Sequence, residues 1–305
     1  MAMAGEKGRG RWFVIAVPYL WLLALFLAPF LIVFKISLSQ DVVAQPPYAP
    51  TLDLAQGWAG FREFLSGLSF ANYAYVLDFS NEFLEAYGSS LIIASISTVL
   101  LLLAGYPIAY AMARAPRSIQ PTLLMLVILP FWTSFLIRVY AWIGILSQEG
   151  LLNQALMALG VIHTPLEILN TNLAVYIGIV YSYLPFMVLP LYAALEKLDL
   201  TLLEAAADLG CPPAKAFWTI TFPLSLPGVA AGALLCFIPA VGEFVIPDLL
   251  GGSDTLMIGK SLWTEFTVNR SWTVSSAVAV LLLLVLVIPI VIYQNIQQRE
   301  LEAGK

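Results

Sequence analysis

The chain has 305 residues, of which 60% are hydrophobic and only 11% charged, with a formal net charge of −5 and a mean hydropathy of +0.88. A soluble domain carries about 25% charged residues, so the composition excludes a soluble globular protein and indicates a polytopic membrane protein; nothing in it points to nucleic acid. The two cysteines, Cys211 and Cys236, lack a disulfide context and metal-cluster spacing, and the single histidine, His163, has no partner pattern, so no metal site is expected.

In chain order, residues 1–12 form a polar, basic tail with Lys7, Arg9 and Arg11. The apolar run over 13–38 is too long for a signal-peptide core and reads as an uncleaved first membrane helix, bent by Pro18 and Pro29. Residues 39–87 form a long external segment rich in aromatics, with Asp41, Asp53, Glu63, Asp78, Glu82 and Glu85 against Arg62 alone. A second span is predicted over 88–113, followed by a turn with Arg114 and Arg117. A third follows over 122–146, then an outer segment with Glu149, His163 and Glu167, and a fourth span over 173–195. After a polar loop, the fifth span covers 227–250, residues 251–272 lie outside, and the sixth span covers 273–293. Each run meets the roughly 20 residues that a bilayer-crossing helix needs.

The positive-inside rule then places both termini in the cytoplasm. Lys7, Arg9, Arg11, Arg114, Arg117, Lys197, Lys215, Arg299 and Lys305 fall inside, and Arg62, Lys260 and Arg270 outside. The expected fold class is an all-α membrane protein with six transmembrane helices, a transmembrane domain over 13–297 and a cytoplasmic tail over 298–305.

The longest polar interruption in the second half is the loop over 196–226, with EAAADLGCPPAKAFWTITFP (residues 204–223) at its centre. Thr201-Leu-Leu-Glu204 has the form of a capping box, in which Thr201 caps a helix and Glu204 reaches back to its amide. Ala205, Ala206 and Ala207 form helix without bulk, so another surface can approach closely. Gly210 suits the left-handed residue that ends a helix, and Pro212 and Pro213 suit the start of the next. This pattern alone fits a docking loop and a purely structural bend equally well.

Glu204-Ala205-Ala206, Gly210 six residues after the glutamate, Ile220 and Pro223 resemble the EAA-type motif of ABC importer permeases. LPFWTSFLIRVYAW (residues 129–142), NLAVYIGIVYSYLPFMVLPLYAAL (172–195) and IPAVGEFVIPDLLGG (238–252) resemble the polyamine branch of that family. Within that branch they are most similar to the first of two permease subunits in a putrescine or spermidine importer. The likeness runs over residues 13–297; Phe222 departs from the leucine more common there. It implies a type I ABC importer permease architecture in a bacterial inner membrane, and an ATP-driven import function for polyamines or, alternatively, another small solute. It also implies that Glu204, Ala205, Ala206, Asp208, Leu209 and Gly210 form the helix that couples to an ATPase. The partners would be a second permease, two ATPase subunits that bind ATP and Mg, and a periplasmic polyamine-binding protein.

Glu243 stands out within the fifth span, because a carboxylate at the centre of a membrane helix costs roughly 2.5–3.5 kcal/mol on insertion scales. Arg138, at a matching depth in the third span, is the expected partner in a structural charge pair. A second role is reception of a cationic amine by charge-assisted hydrogen bonding. Trp132, Tyr140, Tyr181 and Tyr183 crowd the same zone and could offer cation–π faces, although Tyr181 and Tyr183, two residues apart on a helix, must point in different directions. Asp248 would extend an acidic outer mouth. Gly259-Lys260-Ser261 ends like a phosphate loop, but Asp254 stands where that motif needs glycine. No catalytic residue, metal or cofactor is expected in this chain. A channel or ion-coupled transporter working without ATP is the alternative of a different class, and would give Glu204 and Gly210 no specified role.

Overall fold

The computed structural model describes residues 7–51 and 57–303, with 7–13 and 296–303 by backbone alone. Residues 1–6 of the basic tail, Asp53 and Lys305 lie outside the described residues, and the side chains of Lys7, Arg9, Arg11 and Arg299 are likewise not described. Among the described residues, six helical stretches are long and apolar enough to cross a membrane: Val14–Ser37, Phe83–Arg114, Phe135–Ala158, Asn172–Glu196, Pro213–Val241 and Trp272–Asn295.

The chain divides into two compact units, residues 1–84 with 262–284, and residues 85–261 with 285–305. In the first, α1 (Lys7–Leu22) passes through a π-helical turn at Leu23–Leu27 into α2 (Ala28–Ser37). That turn contains Leu25, whose carbonyl loses its helical donor because Pro29 has no N–H. A two-residue antiparallel ribbon follows, β1 (Gln40–Asp41) with β2 (Tyr48–Ala49), in which Asp41 faces Tyr48. Two short helices, α3 (Gly57–Gly67) and α4 (Ala71–Val76), complete the segment between the first two spans. Asn72 ties α4 to the end of α2 by donating to the Ser37 and Ser39 carbonyls at 2.8 and 2.7 Å. Tyr73 shares a 2.6 Å hydrogen bond with the Ser37 hydroxyl.

The second unit holds most of α5 (Phe83–Arg114), then α6 (Gln120–Ile128), a 3₁₀ turn at Leu129–Trp132, α7 (Phe135–Leu146) and α8 (Leu151–Ala158). The region read as one continuous third span is therefore built from pieces. Thr133 and Ser134 are extended, with ψ of 151° and 134°, and break the helix just after Pro130. Next come α9 (Asn172–Glu196), α10 (Thr201–Asp208) and α11 (Pro213–Ala216). A π-helical turn at Phe217–Thr221 leads into α12 (Phe222–Val241), followed by α13 (Val245–Leu249), α14 (Ile258–Thr267) and α15 (Trp272–Ala303). The last two helices run across the unit boundary.

The antiparallel pair α9 and α12 is the spine of this unit. Gly228 and Gly232, four residues apart, lie on one face of α12 and let the backbones approach. A Cβ on Gly228 would sit 2.5 Å from the Ala194 Cβ and 2.9 Å from the Pro190 carbonyl oxygen, and one on Gly232 would sit 2.9 Å from the Met187 sulfur. Gly105 of α5 also closes on Met187, where an added Cβ would sit 2.9 Å from its Cγ. Met187, Val188, Leu191, Tyr192, Leu101 and Cys236 form the buried core here.

Candidate functional site

The α9–α12 pair carries one notable group at each end. At one end is α10. Its first turn is not capped by the box that Thr201 and Glu204 suggested: Thr201 donates its amide to Asp199 Oδ1 at 3.0 Å, and no side chain caps from the N-cap position. Asp199 lies two residues before Thr201 and reaches that amide in a local turn, a geometry short acidic side chains favour. Glu204 is therefore exposed and its carboxylate makes no hydrogen bond among the described residues.

The far end of α10 closes as a Schellman motif. Cys211 N–H donates to the Ala206 carbonyl and Gly210 N–H to the Ala207 carbonyl, both at 2.9 Å, with Gly210 at φ +74°. No neighbouring atom lies within 4 Å of a Cβ placed on Gly210, so glycine is needed there for its backbone angle alone. Ala206 is buried against the body of the unit, whereas Ala205 and Asp208 are exposed, and Leu209 projects with 87% of its surface free. Beneath α10 lies a cavity of about 160 Å³ lined by Leu203, Ala207, Cys211 and Phe217 among others. Phe217, in the π-helical turn, packs edge-on against Tyr106 and Tyr110 of α5, with ring centroids 5.5 and 6.1 Å apart.

At the other end of the pair is Glu243. It is not inside a continuous helix, as the hydropathy suggested, because α12 stops at Val241 and Glu243 sits in the three-residue link to α13. Its Oε1 accepts the Val245 and Ile246 amides at 3.0 and 3.4 Å, and its Oε2 accepts the Tyr183 hydroxyl. Only 7% of the residue is exposed. The carboxylate thus caps α13, where free amides favour negative charge. Close approach by glycine secures the surroundings: Gly178 of α9 meets Ile246 and Leu250, with a Cβ there only 2.8 and 2.7 Å from their side chains. Gly259 of α14 packs against the Gly242 and Glu243 carbonyls. The glycine of the false phosphate loop is therefore a packing residue.

Arg138 does not form the expected pair with Glu243. Among the described residues its Nε and Nη1 are buried without a hydrogen-bond partner, and its guanidinium carbon lies 5.5, 5.9 and 6.0 Å from the ring centroids of Phe131, Phe135 and Tyr181. The helix phase of α9 explains the separation. Tyr181 faces α7, where it packs on Trp142 at 5.3 Å, while Tyr183, two residues later, turns to Glu243. The other pathway candidates lie outside both groups: Trp132 is 69% and Tyr140 53% exposed, and Asp248 is exposed. Hydropathy and motif spacing did not point to a cavity of about 640 Å³ lined by Ser147, Gln148, Glu149, Glu167, Leu169, Asn170 and Thr171. Its signal was the acidic pair Glu149 and Glu167; Glu167 accepts from Gln148 at 2.9 Å. Among the described residues, no three metal-ligating side chains converge.

Residues 11–302 match the model of a protein family described as the binding-protein-dependent transport system inner membrane component. The chain belongs to that family. Among its relatives, the spermidine/putrescine transport system permease protein PotB of Haemophilus influenzae is 38% identical over 279 residues, covering 92% of this chain and 91% of the relative. PotB of Escherichia coli is 44% identical over 222 residues, covering 73% and 80%. A solved bacterial ABC transporter for alginate import contains a chain with the same fold, at a TM-score of 0.66 and 16% identity, covering 96% of this chain and 98% of the other. A second structure, of the alginate transporter with its pentasaccharide-bound periplasmic protein, gives a TM-score of 0.69 at 15% identity.

As a member of this inner-membrane transport family, the chain is a multi-pass membrane component of a binding-protein-dependent transporter. In this permease, the exposed α10 and the buried Tyr183–Glu243 group sit at opposite ends of one tightly packed helix pair. A span of 20 residues, the length of α12, corresponds to about 30 Å.

Proposed function

We propose that this chain is the permease subunit of an ABC importer that moves putrescine, spermidine or both into the cytoplasm. The observation that carries the reading is the 38% identity, over 92% of this chain, to a spermidine/putrescine permease. In this reading it pairs with a second permease, two ATPase subunits and a periplasmic polyamine-binding protein, with both termini in the cytoplasm. ATP and Mg bind to the ATPase subunits, and this chain performs no covalent chemistry.

The α10 helix receives the ATPase. Its exposed Leu209 offers an apolar knob, Ala205 offers close approach, and the Schellman turn at Gly210 fixes the angle between α10 and α11. Because Gly228 and Gly232 lock α12 to α9, a displacement of α10 moves the two helices together and reaches the Tyr183–Glu243 end without being absorbed by slack packing. There the Glu243 carboxylate, with Oε1 fixed on α13, can exchange the Tyr183 hydroxyl on Oε2 for a substrate ammonium. A second reading within the same class is import of another solute: a molybdenum transport permease, ModB, is 32% identical over 203 residues.

Co-purification followed by an ATPase assay tests the proposal. The chain should bring down a second permease and an ATPase subunit, with hydrolysis stimulated by the binding protein loaded with putrescine or spermidine. Recovery without an ATPase subunit, or stimulation by other solutes alone, contradicts it.

A further inference from the structure

Arg138 takes no part in the coupling path and is not held by Glu243. It is 9% exposed, with two of its three guanidinium nitrogens buried and unbonded. A buried arginine ordinarily finds a carboxylate or carbonyls, because unmade charged donors are costly. Here it is surrounded instead by the rings of Phe131, Phe135 and Tyr181, each within 6.0 Å of its guanidinium carbon. Three aromatic rings around one cation is the arrangement that receives alkylammonium ions. The walls of this enclosure are also supported from outside: Phe131 packs on Phe186 at 5.1 Å, and Trp142 packs edge-on to Tyr181 at 5.3 Å.

We propose that Phe131, Phe135 and Tyr181 form a binding box for an alkylammonium group, and that Arg138 occupies it as a tethered stand-in until a free ammonium displaces it. The identity of the physiological ammonium as a polyamine rests on the function proposed above. A guanidinium with two unbonded nitrogens is held less firmly than a fully bonded one, and its flexible stem lets the head leave while the backbone stays. Two cations do not share one desolvated box, so occupancy is exclusive. Arg138 therefore keeps the box shut to ammonium ions at rest and sets the concentration at which substrate opens it.

The test measures equilibrium binding of labelled tetramethylammonium to the assembled transporter in nanodiscs, without binding protein. The Arg138→Met complex should bind the probe saturably and roughly tenfold or more tighter than wild type, a gain that only an emptied aromatic box supplies. Adding Tyr181→Leu should abolish that gain. Arg138→Gln provides a second neutral variant if the methionine variant assembles poorly. An assembled neutral variant that binds no more probe than wild type overturns the proposal, and so does failure of both neutral variants to assemble, since the guanidinium would then be a structural group. Gained binding in a transporter that moves no polyamine sinks the substrate reading while leaving the box in place.

Discussion

Glu243 divides its two oxygens between two tasks, and that division makes its substitution informative. Oε1 holds the first amides of α13, while Oε2 accepts the Tyr183 hydroxyl. Glu243→Gln keeps a carbonyl oxygen for the cap and removes the charge, so assembly measured by gel filtration should be unchanged. Uptake of labelled putrescine or spermidine should fall about 10- to 100-fold, the equivalent of one charge-assisted hydrogen bond of roughly 1.5–3 kcal/mol. Wild-type uptake in this variant would remove Glu243 from the substrate path. The sequence singled out this residue because a carboxylate in an apolar run is rare, yet it suggested the wrong partner. Arg138 was the only complementary charge visible at that depth, whereas the actual donor, Tyr183, is neutral and 60 positions away. Asp199 was overlooked for the converse reason. Thr201 and Glu204 satisfy the capping-box spacing, but a side chain two residues upstream reaches the amide first.

At the scale of elements, the six spans were legible because length and apolarity suffice to define a membrane helix. Their interruptions were not. Pro130 was plain in the sequence, but the two extended residues after it, Thr133 and Ser134, carry no breaker signal of their own. The end of α12 at Val241 is set by Glu243 needing amides and by Gly259 packing against the turn, both tertiary effects. The α9–α12 seam supplies the prediction at this scale. Gly228→Val would drive side-chain atoms into Ala194 and the Pro190 carbonyl, forcing the helices apart. Overpacking of this kind costs about 1–3 kcal/mol or more, so the variant should melt several degrees lower in detergent and assemble poorly. Gly88→Ala, where no atom lies within 4 Å of the added methyl, serves as the neutral control. Equal melting of the two variants would show that the seam is not close-packed.

For the whole molecule, what matters is that the proposed receiver, α10, and the candidate cation group occupy opposite ends of one stiff helix pair. The EAA-type motif made the turn legible, since Gly210 and the alanines announce a tight bend, and the Schellman closure at φ +74° bears that out. Leu209 was named with the motif by resemblance alone, and what the structure adds is that its side chain stands free. Replacing it leaves the body of the chain untouched, so Leu209→Glu separates coupling from folding. The decisive measurement is accumulation of labelled spermidine and putrescine in proteoliposomes containing the full transporter, with ATP on the ATPase side and binding protein on the other. Wild-type vesicles should accumulate polyamine only when both are present, and Leu209→Glu vesicles, with the subunits still assembled, should lose most of that uptake. Accumulation that is independent of ATP, or undiminished in the Leu209→Glu transporter, would contradict coupling through α10.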